Sequence, residues 1–534
     1  MFVVTAEEIQ RLDKFLMEDL GLPPETLMER AGLGVAETVK EAYPKDKINS
    51  VIVLCGPGNN GGDGFVCARY LWSWYYDVEV MIISDEKKYT REARKNLLLL
   101  KNLGVPVRHL KSLEEIRKYL NKIKKTLIID GLFGTGLKRP LEGVYGELIS
   151  LIADLKRERN IEIVAIDIPS GISANTGQIL GTAMPADLTV TFECPKIGHF
   201  LYPGKDYVGA LKVVTIGYPW RYLLSRKDLL PNGIYLDEEL ACEIYRPRRG
   251  FFHKGRAGHL LILAGSQGKS GAGYLTALGA LRGGAGLVTI AAPKSLQSIY
   301  SSLLPEALTL GLPEKEGEVS FEALDVILEN LSGKSCLVIG PGFGLKEDAQ
   351  RLLFELLTKV SLPVIFDADA LTLISKDLSL IQKLTAPKVI TPHPGEAGRI
   401  LKSDAREILK DPLTTLKSLI DIVKGVVVLK GPHTLIGDPS GNFYLSSIDE
   451  PGLSQGGTGD VLSGLIGALI SQGYSPIKAS ALGVYLHGAS GRFLSQFMGP
   501  YGFSASEVAN NIPNIIKNLE NNYDGQKKVS QIPF

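Results

Sequence analysis

A glycine-rich turn runs directly into an apolar helical pattern at residues 456–464, which read Gly456-Gly457-Thr458-Gly459-Asp460-Val461-Leu462-Ser463-Gly464. Turns of this kind present backbone N–H groups to an anion, and the helix dipole favours negative charge at the same place. Asp460 closes the turn, however, and its carboxylate would repel a bound phosphate. The segment therefore predicts a phosphoryl-binding helix start with a carboxylate that must serve another purpose.

Outward from this turn, short apolar strands alternate with helical patterns through both halves of the chain. Short apolar strands separated by helices are typical of parallel sheets covered on both faces, so we predict an α/β fold. The strand segments are INSVIVLCG, VEVMIIS, TLIIDGLFG, IEIVAIDIPSG, LTVTFE and ALKVVTIGYP in the first half, and HLLILAG, GLVTIAAP, SCLVIGPGFG, PVIFDADAL, KVITPHPGE and VVVLKGPHT in the second.

Other segments of the sequence predict further helices and a hairpin. Residues 5–42 predict two helices, with an apolar face marked by Met28, Ala31, Val35 and Val39. The segment LIGDPSGNFYLS predicts a hairpin with a Pro-Ser-Gly-Asn turn. Two helices, DVLSGLIGALISQG and SPIKASALGVYLHGASGRFL, are expected to close the second domain.

The alternation breaks between Tyr218 and Gly255, where prolines and basic residues are scattered and periodicity is weak. We interpret the break as a linker between two tandem domains. The predicted boundaries are 1–220 for the first domain, 221–250 for the linker, 251–520 for the second domain and 521–534 for a loose tail.

Composition limits the class of protein. The 534 residues are 45% hydrophobic and 22% charged, with a formal net charge of +1, which favours neither nucleic acid nor an anionic membrane as a partner. The five cysteines are widely spaced and form no CxxC motif, which indicates reduced thiols. Reduced thiols are typical of the cytoplasm, which is where we expect this protein. We see neither an apolar signal core at the N-terminus nor an apolar run of about 18 residues, so we expect no membrane span.

Polar motifs follow almost every strand. Because ligands of open α/β sheets bind beyond the carboxyl ends of the strands, their repetition indicates ligand sites rather than ordinary turns. The motifs are GPGNNGGDG, DGLFGTG, DIPSG, GPGFG, DADAL, HPGE and KGPHT, at residues 56–64, 130–136, 167–171, 340–344, 367–371, 393–396 and 430–434.

The first glycine loop matches GxGxxG through Gly56, Gly58 and Gly61, the pattern of dinucleotide-binding oxidoreductases. Its polar side chains argue against a bare pyrophosphate site, because an anionic Asp63 would open the helix. Amide and carboxylate oxygens suit a hard cation or ribose hydroxyls better. Asp130 and Ser170, at neighbouring strand ends, could supply further oxygen ligands.

The segment GSQGKSG at residues 265–271 is not a Walker A loop. That motif requires a glycine five residues before the Gly268-Lys269 pair, and Leu263 occupies the position.

These motifs together resemble the NAD(P)H-hydrate repair enzymes. LCGPGNNGGDGFVCARYL, IIDGLFGTGLKRPLEG and IVAIDIPSGISANTG resemble the epimerase domain, which is Rossmann-like. LILAGSQGKSGAGYLTALGALRGGAGLVTIA, VIGPGFG, IFDADAL, TPHPGEAGRIL, VVLKGPHT and LSQGGTGDVLSGLIGALI resemble the ribokinase-like dehydratase domain. The resemblance covers nearly the whole chain, in the order of the fused bacterial enzyme.

The resemblance implies metabolite repair of hydrated nicotinamide cofactors. The first domain would interconvert the R and S epimers of NADH or NADPH hydrated at C6. The second would dehydrate the S form to NAD(P)H while ADP becomes AMP and phosphate. K⁺ in the epimerase domain, Mg²⁺, and a homo-oligomer of four or more chains are further implications.

For the dehydratase, the resemblance implies that Asp460 is the base that takes the proton of the acceptor hydroxyl beside the glycine anion hole. Glu396 would hold Mg²⁺ through water, and Asp367 and Asp369 would position solvent or metal, although Asp369 can also be a helix cap. The implied hydrate-binding residues are Ala272, Gly342, Gly344, His393 and Asp460. The implied nucleotide-binding residues are Lys430, Gly431, Pro432, His433, Thr434, Gly457, Thr458 and Gly459.

For the epimerase, the resemblance places K⁺ on Asn60, Asp130 and Ser170. We nominate Lys138 and Asp167 as the ionisable pair that handles protons, without deciding which acts as the base. The implied dinucleotide-binding residues are Asn59, Asn60, Gly61, Gly62, Asp63, Gly134, Thr135, Gly136, Leu137, Lys138, Arg139, Pro140 and Asp167.

Two other functions stay open at this point. One is a small-molecule kinase of the ribokinase class with a regulatory N-terminal domain. The other is a dinucleotide sensor without catalytic activity.

Overall fold

The computed structural model describes residues 1–110, 113–120, 125–158, 161–250 and 253–530. The chain divides into two compact units, Met1–Asn232 and Gly233–Phe534. The division falls within the segment predicted as a linker, residues 221–250.

Regular elements of the first unit follow the predicted alternation. Its strands are β1 (Phe2–Val3), β2 (Ser50–Cys55), β3 (Val78–Ile82), β4 (Val107–His109), β5 (Thr126–Gly131), β6 (Ile161–Ile166), β7 (Leu188–Phe192) and β8 (Ala210–Val214). Its helices are α1 (Ala6–Glu18), α2 (Pro24–Ala42), α3 (Asn59–Ser73), α4 (Arg91–Asn102), α5 (Leu113–Leu120), α6 (Gly143–Glu158), α7 (Lys205–Val208) and α8 (Trp220–Leu223), with 3₁₀ turns at Glu86–Lys88 and Ile197–His199.

The sheet of this unit is parallel, in the order β4-β3-β2-β5-β6-β7-β8. Alternate residues of β2 belong to two separate cores. Val51 and Val53 pack with residues of α1 to α4, whereas Ile52 and Leu54 pack with residues of α6. Helices therefore cover both faces of the sheet, as the continuous apolar strands predicted.

The strands of the second unit are β9 (Gly233–Leu236), β10 (His259–Leu263), β11 (Leu287–Pro293), β12 (Leu308–Leu312), β13 (Glu314–Lys315), β14 (Glu318–Val319), β15 (Cys336–Ile339), β16 (Val364–Phe366), β17 (Lys388–Ile390), β18 (Val426–Leu429), β19 (Leu435–Gly437) and β20 (Phe443–Ser446). The main sheet of the unit runs β9-β20-β19-β18-β17-β16-β15-β10-β11-β12. Strands β10, β11, β12, β15, β16, β17 and β18 pair in parallel, and the predicted hairpin is confirmed as the antiparallel pair β19 and β20.

The helices of this unit are α9 (Glu238–Ile244), α10 (Ser270–Arg282), α11 (Gln297–Leu303), α12 (Ala323–Glu329), α13 (Glu347–Leu357), α14 (Asp369–Ile374), α15 (Ser379–Lys383), α16 (Pro394–Leu401), α17 (Ala405–Lys410), α18 (Pro412–Val423), α19 (Thr458–Ser471), α20 (Pro476–Met498) and α21 (Ala505–Ser530), with 3₁₀ turns at Lys294–Leu296 and Pro451–Leu453. Leu260 and Ile262 of β10 share a core with residues of α10, α19 and α20. Leu261 and Leu263, on the opposite face of the strand, are also fully buried.

Two sequence predictions are corrected by this architecture. The segment 221–250 is not an irregular linker throughout, since it contains β9 and α9, and Leu236, Ala241 and Cys242 lie in the core of the second unit. The predicted tail is helical from residue 521 to Ser530, because α21 continues through it, and the buried Ile512, Ile515 and Leu519 of this helix precede the tail. Residues 531–534 lie outside the described residues.

All five cysteines are buried free thiols, as their spacing predicted. Within the described ranges, no helix combines the length and apolarity needed to cross a membrane.

Candidate active sites

A cavity of about 660 Å³ opens in the first unit at the carboxyl ends of its central strands. Its walls come from α1, α2, the start of α3 and the loop after β5. It brings together most of the predicted dinucleotide-binding residues: Asn59, Asn60, Asp63, Gly134, Thr135, Gly136, Leu137, Lys138, Arg139 and Asp167. Gly61, Gly62 and Pro140 do not line it.

Gly61 and Gly62 instead allow the loop to pack closely. A Cβ atom at Gly61 would lie 1.9 Å from the carbonyl oxygen of Gly56, and one at Gly62 would lie 2.4 Å from the Met28 methyl carbon. Pro140 is exposed. These residues therefore shape the site without facing it.

Asp130 and Ser170 form the floor behind the cavity, and both are fully buried. The Ser170 hydroxyl donates to Asp130 at 2.7 Å, and the backbone N–H groups of Ser170 and Leu132 donate at 2.8 and 3.2 Å. Burial raises the pKa of Asp130 to about 6, against the lowering effect of these hydrogen bonds. Among the described residues, no lysine or arginine forms an ion pair with this carboxyl group.

Asn60 lies beside this floor. Its backbone carbonyl is 3.1 Å from the Cβ position of Gly131, the residue that follows Asp130, and its side-chain oxygen is 3.1 Å from that of Gly134. The side-chain nitrogen of Asn60 is buried without a hydrogen-bond partner. A buried carboxylate without a counter-charge, a serine hydroxyl and an amide fit a hard monovalent cation.

Asp167 projects into the same cavity from the end of β6. Its backbone φ is +66°, in the left-handed region that an aspartate adopts only where the surroundings require it. Thr191 donates to its carboxylate at 3.0 Å, and the ammonium group of Lys196 forms a close ion pair with the same oxygen. The cation that pairs with Asp167 is therefore Lys196.

Lys138, the nominated partner of Asp167, is placed differently. Its ammonium lies 3.3 Å from Glu7, and its side chain is 68% exposed. The structure thus places Lys138 and Asp167 on one cavity wall without pairing them. The loop CPKIGH, residues 194–199, carries the missed lysine, and its position after strand β7 was the available signal.

The second site forms around the turn that precedes α19. Gly457 caps this helix at φ +92°, a left-handed conformation that a glycine adopts without strain. The ammonium of Lys430, at the end of β18, lies 3.2 Å from the Cβ position of Gly459 and donates to Asp367 at 3.0 Å. The Ser463 hydroxyl donates to the other oxygen of Asp367. Strands β16 and β18 and helix α19 thus converge at one point.

Burial and neighbouring charges determine the protonation of Asp460 and Lys430. Burial raises the pKa of Asp460 to about 7, with the charge of Asp367 adding to the effect and that of Lys430 opposing it. Burial lowers the pKa of Lys430, but the carboxylates of Asp367 and Glu396 outweigh burial and raise it. Asp460 therefore changes protonation near neutral pH beside a permanent cation.

His393 and Glu396 belong to the start of α16. Glu396 is 5% exposed, accepts from the His393 backbone N–H at 2.8 Å, and has a pKa raised by burial. The His393 ring accepts from the Gly395 N–H and keeps a half-exposed face. The histidine is thus both a helix cap and an available side chain.

Asp369 is not a helix cap. It is the first residue of α14, after Ala368, and its carboxylate accepts from the backbone of Gly344 at 3.0 Å and from Lys269 at 2.9 Å. A Cβ atom at Gly342 would lie 3.0 Å from that of Ala272. Of the predicted hydrate-binding residues, Ala272 and Gly342 are therefore in contact, and Gly344 is held by Asp369.

The predicted nucleotide loop divides into two parts. Gly431 and Pro432 are exposed and Thr434 is partly buried. His433 points away from them, because its ring is buried and its Nδ1 atom lies 3.0 Å from the Ser446 carbonyl. The Thr458 hydroxyl donates to the carbonyls of Leu453 and Gln455 within the turn. His433 and the Thr458 hydroxyl thus support the loops.

Comparison with known proteins shows two family matches in tandem. Residues 24–198 match the YjeF-related protein N-terminus, and residues 260–514 match the NAD(P)H-hydrate dehydratase family. The bifunctional NAD(P)H-hydrate repair enzyme of Moorella thermoacetica is 36% identical, over 97% of this chain and 97% of that protein.

The chain belongs to the bifunctional NAD(P)H-hydrate repair enzymes.

A further bifunctional NAD(P)H-hydrate repair enzyme, from Dictyoglomus turgidum, is 36% identical over 96% of this chain and 98% of that protein. Among solved structures, the ADP/ATP-dependent NAD(P)H-hydrate dehydratase of Bacillus subtilis, crystallised with ATP and Mg²⁺, is 30% identical. It covers 53% of this chain and 98% of its own, with a TM-score of 0.48. Membership of this family decides against the kinase and sensor alternatives: the chain combines NAD(P)H-hydrate epimerase and dehydratase activities.

Proposed function

We propose that the first unit epimerises the hydrates at its cavity and that the second dehydrates the S epimer around Asp460. The positions of the two family matches support this division, since each lies within one compact unit. The observation that carries the dehydratase proposal is Asp460, a carboxyl group with a pKa of about 7 at the first turn of α19 and close to the ammonium of Lys430.

In the dehydration, Asp460 takes the proton of the C6 hydroxyl while the hydroxyl oxygen attacks the β-phosphorus of ADP. AMP leaves, and the first backbone N–H groups of α19 and the Lys430 ammonium stabilise the charge on the transferring group. The ring nitrogen then expels phosphate from C6, and loss of a C5 proton restores the double bond of NAD(P)H. Mg²⁺ would neutralise the nucleotide phosphates, with Glu396 reaching it through water.

Epimerisation at C6 requires that the hydroxyl leave one face and return to the other. An acid protonates the hydroxyl, the ring nitrogen expels water, and water adds to the opposite face as a base removes its proton. Asp167 is the base in this proposal, because it lines the cavity as one member of an ion pair. The exposed Lys138 binds the dinucleotide phosphates in this proposal, because it lines the same cavity.

The oxygen set of Asn60, Asp130 and Ser170 supports a K⁺ ion, which would supply positive charge behind the dinucleotide site. From the family resemblance, we also infer a homo-oligomer of four or more chains in the cytoplasm. The exposed Leu98 of α4 and Leu103 directly after it are consistent with an oligomer, and the buried free thiols are consistent with the cytoplasm. Light scattering during gel filtration measures the oligomer directly.

Incubation of the purified protein with a mixture of R and S NADH hydrates tests the proposal. Recovery of reduced-nicotinamide absorbance only after a nucleotide is added, and consumption of both epimers, are expected. Consumption of the S epimer alone would contradict the epimerase proposal, and recovery without nucleotide would contradict the phosphoryl-transfer step.

A further inference from the structure

Lys196 stands out in the first unit as a lysine that is almost completely buried. Its side chain is 2% exposed, and its ammonium donates to Asp167 and to Thr191, the latter at 2.9 Å. A lysine is seldom fully buried without a specific partner, because burial of an unpaired ammonium is costly. The position of Lys196 therefore depends on Asp167.

Three carboxyl groups of the cavity interact electrostatically with this single cation. Asp13 comes from α1, Asp63 from α3 and Asp167 from the end of β6, and all three line the cavity. Only Asp167 forms an ion pair with Lys196 among the described residues. The lysine thus distinguishes one carboxyl group from the other two.

The two remaining carboxyl groups retain protons more readily. Burial raises the pKa of Asp63 well above its usual range, and the neighbouring charges of Asp167 and Asp13 add to this. Burial also raises the pKa of Asp13, which accepts a hydrogen bond from the Tyr218 hydroxyl. Asp13 and Asp63 are therefore carboxyl groups of this cavity that are harder to ionise than a free aspartate.

The loop around Lys196 is itself fixed. The Lys196 backbone N–H donates to Nδ1 of His199 at 3.1 Å, so Nε2 carries the proton and donates to the Asp167 carbonyl at 2.9 Å. Burial and the charge of Lys196 lower the pKa of His199 to about 3, which keeps this ring neutral. The same loop therefore holds both the carboxylate and the backbone of Asp167.

We infer that Lys196 is a positioning residue of the epimerase, which holds the carboxylate of Asp167, the proposed base, in place through a buried ion pair. Thr191 assists by donating to Asp167 while it accepts from Lys196. The inference rests on the proposed role of Asp167 and adds the group that holds its carboxylate.

The pH profile of R-to-S conversion tests the inference in the full-length protein. The groups that face Asp167 are Asp13 from α1, Asp63 from α3, and Lys196, His199 and Thr191 from the β7 strand and the loop after it. Removal of an opposite charge makes a carboxylate harder to ionise by about one to three pH units. For Lys196→Met we therefore expect the acid limb of kcat/KM to move to higher pH by about that amount, with activity recovering at alkaline pH.

Two further variants separate the possible outcomes. Thr191→Val keeps the shape of a buried side chain and should shift the acid limb less, in the same direction; it decides the question if Lys196→Met fails to fold by circular dichroism. Lys101→Met, whose ammonium pairs with Glu86 on the surface, should leave the profile unchanged.

A uniform loss of activity in Lys196→Met without movement of the limb, or an unmoved limb in a folded Thr191→Val, would overturn the inference and leave Asp167 as the base. Full activity of Asp167→Asn would instead remove the proposed base, and the role of Lys196 with it.

Discussion

The ammonium of Lys430 lies 3.0 Å from the carboxylate of Asp367, and both groups perturb the protonation of Asp460. Asp367 makes Asp460 harder to ionise and Lys430 makes it easier. Burial raises the pKa of Asp460 most, and together with these two charges it gives a pKa of about 7. Such a base is partly ionised near neutral pH and accepts a proton readily, which is the compromise that general-base catalysis requires.

Asp460→Asn should abolish dehydration and leave epimerisation intact. The amide keeps the shape of the side chain but cannot accept the hydroxyl proton, and the loss of a general base typically lowers the rate by about 10²–10⁴-fold. Both activities can be measured on one preparation with separated R and S hydrates. Asp421→Asn, at an exposed carboxylate of α18, is the matched control and should behave as the wild type. Near-normal dehydration by Asp460→Asn would remove this residue from the mechanism.

Dehydration should depend on pH with an acid limb near pH 7. Asp460 must be unprotonated to act, so the rate falls as pH decreases through its pKa of about 7 and reaches a plateau above it. The measurement is kcat/KM for the S hydrate with saturating nucleotide at a series of pH values. An acid limb near the usual range of an aspartate would contradict a raised pKa of Asp460 in the reacting enzyme.

The epimerase should require K⁺. Exchange into a bulky organic cation is expected to suppress R-to-S conversion, and K⁺ should restore it. K⁺ should also raise the melting temperature, because a ligand that binds only the folded state stabilises it.

Asp130→Asn should weaken both effects, since the variant lacks the buried carboxylate, while dehydration in the other unit continues. An epimerase rate and a melting temperature that do not respond to K⁺ in the wild type would exclude this site.

ADP should be a better phosphoryl donor than ATP. In ATP the γ-phosphate must occupy the place that the β-phosphate takes in ADP, so the adenosine moves outward by one phosphate. A misplacement of about 1 Å already costs about 10²-fold in rate. The comparison is kcat/KM for the S hydrate with ADP and with ATP freed of ADP. Equal or better use of ATP would refute the donor assignment without affecting the role of Asp460.

Local patterns in the sequence predicted much of the fold and of the candidate sites. Continuous apolar strands predicted covered parallel sheets, because a strand buried on both faces needs no polar positions. Polar motifs at strand ends predicted the sites, because parallel strands end at the same edge of a sheet. The glycine turn before Asp460 and the cavity residues Asn59, Asn60 and Asp63 were found in this way.

The sequence predictions were wrong for segments that are buried against residues distant in the chain. Leu236 and Cys242 gave weak periodicity within the predicted linker but are buried in the second core. The helix α21 packs Ile512, Ile515 and Leu519 on residues far away in the chain, and it then continues into the predicted tail as far as Ser530. Short or weakly periodic segments show no such partners in the local sequence.

The sequence by itself determined the fold class, the two-part organisation, the family and most of the loops that form the sites. Only the tertiary structure decided which charged side chains form ion pairs. Lys138 and Lys196 are both lysines in loops after strands, yet one ion-pairs with Glu7 at the surface and the other with Asp167 in the interior. The reason is that an ion pair and a shifted pKa depend on distances of a few ångströms and on exclusion of water, and both are set by packing between residues distant in the chain.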